Sequence, residues 1–559
     1  MQARQWIIHD PLPPDRADGN ALPPPLAAIL WRRGLRDIDS IGRFLSPRLK
    51  DLSDPFLLPQ MEEATDRILA AIEAGEPVAL YGDYDADGVT SVAIVTRILR
   101  AYGLDPRPFL PHRVEEGYGI SEAGLDRCLC ENRPSLVIAL DCGTSSSASI
   151  QWLRQKGIDA VVFDHHEIKG GLPACPTVNP KAGDGFHYLC TAGIAFKLGH
   201  ALLKKRPLDG FDLKTCLDLA ALGTVADIVP LVEDNRILVT RGLAELARTR
   251  WVGLRHLAEV AGVNPPYTST DLGFRLGPRL NAAGRLGAAA AALDLLLCDD
   301  PGRARPLAAA LDSKNRERQT LEHQIVQEAH AMIAGSFNPE TDFAIVLGKE
   351  GWHPGVLGIV AARIARSFHR PTLVIGFDRD GNGKGSGRGI PGFSLVGALS
   401  GCSEQPAAFG GHEQAAGLSL SIARFEAFRA AFMEAARRAL AVPPSPIIEI
   451  DGRLDFAHCT TGFLDAHERL QPYGTHNPQP IFFAPSAHPI SPPRLLKEKH
   501  LSLSLSQNGG NHRAILFNRT ADQIPEPPWD VAFRIARNVY RGNVGVSIQV
   551  EDLRTSRAP

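Results

Sequence analysis

Tyr81-Gly82-Asp83-Tyr84-Asp85-Ala86-Asp87-Gly88-Val89-Thr90 packs three carboxylates into five residues, directly after the apolar run Pro77-Val78-Ala79-Leu80. Carboxylates this close repel one another, and a fold tolerates them where a divalent cation balances the charge. A solvated acidic turn is the plainer reading, since Asp-Gly turns are common. Taken with the flanking residues, the stretch reads as a strand, an acidic loop and a helix over Val89–Arg100. That order puts the acids at the strand's C-terminal end, where open parallel sheets collect ligands.

Two further apolar runs end the same way. Residues 135–140 deliver Asp141, followed by Cys142-Gly143-Thr144, and residues 158–163 deliver Asp164-His165-His166. Short apolar runs alternating with helical stretches predict an α/β fold with a buried parallel sheet, its acidic tips emerging on one edge. Asp227 interrupts the apolar segment from Leu219 to Pro230, and a buried lone carboxylate is costly unless paired or on a metal. A single buried histidine is usually a satisfied core residue. A histidine pair beside an aspartate at a strand end is a better ligand candidate. Carboxylates with imidazole suit Mn²⁺ or Mg²⁺ rather than a thiolate-preferring metal, and the ligand count fits two ions, the arrangement that clamps both oxygens in phosphoester hydrolysis.

The series DYDADG, DCG, DHH and GTVADIVPL resembles the four motifs of the DHH phosphoesterase superfamily. The words GPRLNAAGRL, GWHPGVLGIVAAR, GSGRGIPGFSL and FGGHEQAAG narrow the resemblance to the RecJ-type single-strand DNA exonucleases. The resemblance implies two α/β core domains, DHH and DHH-associated, joined by a long helix across a cleft, and a C-terminal OB-like β-barrel. It implies that Asp85 binds one metal and Asp87 the other, that Asp141 bridges them, and that His165 and Asp227 complete the second site. Asp83 and His166 fall in the inner ring as weaker ligands or substrate contacts. Ser386 and Arg388 resemble a pocket for a 5′-phosphate, with Arg279 and Asn281 as its partner across the cleft. His412 would contact a phosphate near the metals, and His353 is a further candidate with an equally good structural reading. One departure concerns Tyr81, where many superfamily members carry a histidine that ligates metal in some; tyrosine is a poor replacement there.

Composition divides the rest. A Pro-rich extension covers 1–60 and is expected to dock on the first domain, the metal domain spans 61–300, and 301–335 reads equally as a surface helix or a rigid connector, the RecJ-type resemblance implying the connector. Leu307, Leu311, Leu321, Ile325, Ala329 and Met332 are spaced as one helical face of that segment. The DHH-associated domain follows over 336–440, opening with a strand at 343–347 and a helix at 355–366. Its glycine-dense segment 381–389 reads first as a flexible Gly-rich hairpin; the alternative is that it lets backbone N–H groups approach an anion, with Lys384 and Arg388 supplying charge. It lacks the Lys-Ser/Thr of a Walker loop. After the break Val442-Pro443-Pro444, residues 447–555 alternate with the period of half-buried strands, at Leu501, Leu503, Leu505 and at Val544, Val546, Ile548, Val550. About five strands predict an OB-type barrel, a usual module for single strands. Phe482, Phe483, Lys497, Lys499, His500, Arg513, Phe517, Tyr540 and Arg541 are its candidates for stacking bases and holding phosphates.

With 559 residues and 44% apolar content the chain has material for several cores. A net charge of −2 counts against a nucleic-acid partner, since such proteins are commonly basic, although bound cations offset several acids. Nine cysteines without CxxC pairs argue against a disulfide framework or a zinc site. The N-terminus lacks a signal peptide's charged and apolar regions and no run is long enough to span a bilayer, so a cytoplasmic location and no membrane partner are expected. The implied activity is 5′→3′ hydrolysis of single-stranded DNA to 5′-mononucleotides in repair and recombination. The implied enzyme is a monomer that prefers 5′-phosphorylated ends, with single-strand-binding protein and a helicase as partners. Superfamily hydrolases of short oligonucleotides, pyrophosphate or cyclic dinucleotides generally lack the terminal barrel. Non-catalytic relatives lose the metal ligands, nearly all of which are present here.

Overall fold

The computed structural model describes residues 4–11, 22–112, 116, 119–286, 289–402, 406–540 and 542–556. They form two compact units, the larger gathering Trp6–Asn281, Ala289–Ala308 and Glu449–Pro559, the smaller mainly Ala309–Ile448.

The larger unit carries a five-stranded parallel sheet in the order Arg107–Phe109, Val78–Gly82, Leu136–Leu140, Asp159–Phe163, Thr177–Val178. The three long apolar runs form its centre, and Val78–Gly82 and Leu136–Leu140 are buried at every position, which is why they show no alternation. Alternate residues Ala79, Val137 and Val162 share a core with Leu125 and Ile150 of the helices Glu122–Asn132 and Ser147–Gln155. The helix after the acidic loop starts at Ala86, earlier than Val89, and runs to Ala101. Asp85 is its N-cap, and its carboxylate accepts from the N–H groups of Asp87 and Gly88, pulling the acidic residues into the first turn.

In the smaller unit five strands lie in the order Ala408–Gly411, Ala415–Ser421, Asn382–Arg388, Thr372–Phe377, Ile345–Glu350, with only the last pair parallel. The glycine-dense segment is therefore not an anion-cradling loop: it is an inner strand laddered on both sides, so its backbone N–H groups serve the sheet. Its glycines make room instead. A Cβ at Gly383 would meet the Phe377 ring at 2.5 Å, and one at Gly387 the Leu373 side chain at 2.6 Å. The first strand begins at Ile345 rather than Phe343, and the next helix is Pro354–Phe368.

A single helix, Pro301–Ala334, starts in the larger unit and ends in the smaller. Its buried face follows the apolar spacing only in part: Leu311, Ile325 and Ala329 are buried, along with Ala304 and Ala308, whereas Met332 is 40% exposed and the middle buries the polar Asn315, Arg318 and Glu322. Arg318 donates to Glu322 at 2.6 Å and to Asn315 at 3.0 Å, which pairs these buried polar groups with one another.

The C-terminal domain closes five strands, Phe482–Pro489, Trp529–Tyr540, Asn543–Thr555, Gly510–Phe517 and His500–Gln507, through the pairs His488–Ser506 and Pro489–Leu505. Leu501, Leu503 and Leu505 face its core. Phe482 is fully buried there, so it is no base-stacking residue. Arg541 and the Tyr540 side chain lie outside the described residues. The N-terminal extension does not simply dock on the metal domain. Leu26, Ile29 and Leu30 of the helix Pro24–Arg32 join the barrel's core, and the later segment reaches the metal domain, where Lys197 donates to Ser53 O at 2.6 Å. Arg236 bolts these parts together: it donates to Phe44 O at 2.8 Å and to Gln471 O at 2.7 Å. No helix among the described residues is long and apolar enough to cross a membrane.

Candidate metal centre

Gly82, Leu140 and Phe163 are in register, so Asp83, Asp141 and Asp164 leave the sheet side by side. The ladder continues one step into the loops: Asp83 N–H donates to Leu140 O at 3.2 Å and Asp141 N–H to Phe163 O at 2.9 Å. Asp141 then adopts φ +67°, a left-handed turn that Asp tolerates better than most residues. Asp87 is clasped at the N-terminus of the helix Thr191–Lys205, accepting from the N–H groups of Thr191 and Ala192 at 2.8 Å each. Such a terminus favours negative charge. The Thr191 hydroxyl also donates to Asp141 at 3.0 Å. Sequence reasoning passed over Thr191 and Ala192, whose only local signal is the start of an apolar helix. Asp227 caps the C-terminal end of the helix Leu217–Ala226.

These elements converge on His165. Its Nε2 lies 3.4 Å from Asp227, 3.5 Å from Asp141 and 3.8 Å from Asp87, and it is buried with no hydrogen-bond partner among the described residues. Burial and the neighbouring His166 push His165 down to about 3, so the ring is neutral and its lone pair available. The carboxylates shift the other way. Burial and then Asp85 raise Asp87 to about 6, and burial followed by the surrounding carboxylates holds Asp141 and Asp227 well above the ordinary range. Among the described residues, three groups have ligand atoms mutually within 4.8 Å: Asp83, Asp85 and Asp141; Asp87, His165 and Asp227; Asp141, His165 and His166. A bare imidazole nitrogen facing crowded acids, with Cys142 and Cys190 held as thiols by burial, fits hard divalent cations.

Asp164 has a different task. It accepts from Thr144 N–H at 2.9 Å, His165 N–H at 2.8 Å and His166 N–H at 3.1 Å, and lies 2.7 Å from His166 Nδ1. Burial pushes Asp164 up, but the His166 and Thr144 hydrogen bonds outweigh it and leave the carboxyl below its usual range. His166 rises correspondingly, the Asp164 carboxylate overcoming the cost of burial. Asn179 steadies the same turn by donating to His166 O at 2.9 Å. Asn281 accepts from Ala86 N–H at 2.7 Å, tying the Arg279 helix, Gly277–Leu286, to the acidic loop. Tyr81 belongs to the core with Phe109 and Leu125, and its hydroxyl donates to Gly119 O at 3.4 Å. Its side chain is thus used in packing, and the acidic groups above assemble without it.

Three family models match in chain order: DHH family, N-terminal domain, at residues 77–224, DHHA1 domain at 341–438 and RecJ OB domain at 450–552. The single-stranded-DNA-specific exonuclease RecJ of Thermus thermophilus is 36% identical over 549 residues, covering 96% of this chain and 76% of that protein. The chain belongs to the RecJ family. The crystal structure of RecJ in complex with Mn²⁺ from Thermus thermophilus matches with a TM-score of 0.83 at 32% identity, covering 99% of this chain and 80% of that one. The RecJ of Bacillus subtilis is 37% identical over 464 residues, 82% of this chain, and the match spans 58% of that relative's length. The two α/β core domains and the OB domain expected from the RecJ resemblance are present.

The other RecJ-type candidates are spread over both units. Ser386 and Arg388 occupy alternate positions of the strand Asn382–Arg388, with Arg388 Nη1 donating to Ser386 Oγ at 3.3 Å and to Gly387 O at 2.7 Å. Gly358 gives them space: a Cβ there would lie 2.9 Å from Arg388 and 3.0 Å from Ser386. His353 caps the helix Pro354–Phe368, its Nδ1 accepting from Gly355 N–H at 3.1 Å. His412 is exposed just beyond the strand Ala408–Gly411. In the larger unit Arg279 Nη1 donates to Arg275 O at 2.6 Å.

Proposed function

We propose that this chain is a single-stranded-DNA-specific 5′→3′ exonuclease that hydrolyses phosphodiester bonds with two divalent cations, Mn²⁺ or Mg²⁺, releasing 5′-mononucleotides. The observation that carries the reading is the bare Nε2 of His165 amid Asp87, Asp141 and Asp227, beside a second acidic group that shares Asp141. Asp83 and Asp85 would hold one ion, Asp87, His165 and Asp227 the other, and Asp141 both. Bound there, the cations supply the charge that lowers the pKa of water and stabilises the leaving oxygen. The chain's own residues do the rest. His166, whose pKa the Asp164 carboxylate raises, is assigned to charge on the phosphoryl oxygens, and His412 is a further candidate for a phosphate contact. In the smaller unit Ser386 and Arg388 are assigned to the 5′-phosphate, Arg388 through its planar fork; in the larger unit Arg279 and Asn281 are assigned to substrate contacts, and His353 is assigned to the helix cap ahead of any phosphate contact.

The barrel supports a single-stranded substrate. His500 and Phe517 pair across two strands, their rings 5.1 Å apart, on a face that also carries the exposed Arg513 and Ile515. Exposed rings and cations on one sheet face suit unpaired bases and their phosphates. A monomer in the cytoplasm, supplied with strands by a helicase and single-strand-binding protein, completes the proposal.

The deciding assay follows a 5′-labelled oligodeoxynucleotide, its 3′-labelled twin and the duplex, with Mn²⁺, Mg²⁺ or EDTA. Labelled mononucleotide should appear at once from the 5′-labelled single strand while the 3′-labelled strand shortens gradually, and EDTA should stop both. Shortening that begins at the 3′ end, or equal digestion of the duplex, would refute the assignment.

A further inference from the structure

Phe274 is the most exposed large apolar side chain among the described residues, at 77%. It stands in the π-helical turn Leu272–Leu276, which runs directly into the helix Gly277–Leu286. Such turns depart from regular α-helical hydrogen bonding and are frequent at functional sites. The turn is pressed onto the helix that delivers Asp227: a Cβ on Gly273 would come within 3.3 Å of Val225, and one on Gly277 within 3.1 Å of Ala226. Phe274 is thereby fixed at the helix end that carries a proposed metal ligand, with its ring left to solvent.

A second observation concerns the residue that follows Asp227. Ile228, the next residue, is 73% exposed and adopts φ +63°. A β-branched residue there is strained, and such strain gathers at functional sites. Its carbonyl is held by the Thr475 hydroxyl at 2.8 Å. Single exposed apolar residues are ordinary. Two of them at the helix end that carries one ligand of the proposed centre, each on irregular backbone, call for an occupant.

The neighbouring charge says which. Arg275 and Arg279 lie on the same helical run as Phe274, so a ring is flanked by cations beside the carboxylate cluster, the combination that meets a base and its phosphates together. We infer that Phe274, with Ile228, is the surface against which a nucleobase of the DNA strand stacks next to the metal centre. The inference rests on the exonuclease reading and adds that the enzyme grips the base as well as the backbone. An aromatic at position 274 would then set how readily the strand tolerates a missing base.

The test compares the full-length protein with F274A and F274W on an oligodeoxynucleotide and on the same strand with abasic units at its first three positions from the 5′ end. In wild type the ratio of kcat/KM on the normal strand to that on the abasic strand should be large. F274A should collapse that ratio at least tenfold, chiefly through KM on the normal strand, and F274W should restore it. An unchanged ratio in F274A, with equal loss on both strands or none, overturns the inference. Inactivity of wild type on both strands refutes the exonuclease reading instead. The base contact is then read from 2-aminopurine placed near the 5′ end, whose fluorescence should be quenched on binding wild type in EDTA; equal quenching by F274A overturns it.

Discussion

The Thr475 hydroxyl donates to the Ile228 carbonyl at 2.8 Å, so a residue of the C-terminal domain fixes the backbone one step beyond Asp227. Leu231 N–H returns a bond to Thr475 O at 2.9 Å, and Asn235 secures Pro230 O at 3.0 Å. The left-handed Ile228 would relax without these partners, and Asp227 would swing with it. Removing one such hydrogen bond costs about 1 kcal/mol, or roughly fivefold in an equilibrium constant. T475V should weaken Mn²⁺ binding by about that factor, at one class of site only, while T475S retains wild-type affinity. Titration of the metal-free protein followed by Mn²⁺ electron paramagnetic resonance measures it; equal affinities for T475V and wild type would show that the latch does not position Asp227.

Asp141 is held above its usual pKa first by burial and then by Asp87, Asp85, Asp83 and Asp227. Without a cation this is repulsion the fold must absorb. D141N keeps a residue that tolerates φ +67° and can still accept from Thr191. It should abolish hydrolysis by a factor on the order of 10³ or more, the scale on which electrostatic groups act in catalysis, and leave single-stranded DNA binding intact. The same change should raise the melting temperature of the metal-free protein and remove most of the rise that Mn²⁺ brings to wild type. A metal-free D141N that melts below wild type would mean that the cluster's repulsion is not what limits stability.

Much of this was legible in the residues because the deciding signals are local. Three apolar runs ending in Asp83, Asp141 and Asp164 predict a buried parallel sheet, and the register confirms that those tips align. Locality is also where legibility ended. Asp141 and Asp164 look alike in sequence, yet one faces carboxylates and the other four donor contacts from Thr144, His165 and His166, a difference made by loops folding back. Gly383 and Gly387 read as loop because glycine carries no periodicity, while the side chains that fill their space, Phe377 and Leu373, belong to another strand. The Pro-rich composition of 1–60 does not reveal that Leu26 and Ile29 are received by the barrel's core. Thr191 acts through tertiary placement alone.

Arg388 offers a sharper test of the 5′-phosphate assignment than removal of Ser386. Its guanidinium is oriented by Ser386 and the Gly387 carbonyl, and a charge-assisted bond to phosphate is worth roughly 1.5–3 kcal/mol. R388A should therefore lower kcat/KM about 10- to 100-fold on 5′-phosphorylated strands and much less on 5′-hydroxyl strands. R388K, which keeps the charge but not the planar fork, should recover only part of the loss. Equal loss on both ends would place Arg388 outside the terminal phosphate's reach.

Asp218 provides a pH signature away from the metal ligands' own loops. It is 1% exposed, and burial raises it from 3.8 to about 7, although Thr249 Oγ1 donates to it at 2.5 Å and Leu219 N–H at 2.8 Å. A carboxyl whose folded pKa exceeds its unfolded value holds its proton longer in the folded state. The stability this contributes is complete below about pH 4 and is lost as pH rises through 7. A tenfold difference in proton affinity between the folded and unfolded states corresponds to about 1.4 kcal/mol, so the span is on the order of a few kcal/mol. D218N cannot ionise and should not suffer that loss. Its stability relative to wild type should thus be greater at pH 8 than at pH 5, by on the order of 2–4 kcal/mol in urea melts with EDTA present. A difference between the two proteins that is constant over that range would mean that Asp218 is already ionised, and paired, in the folded state at pH 5.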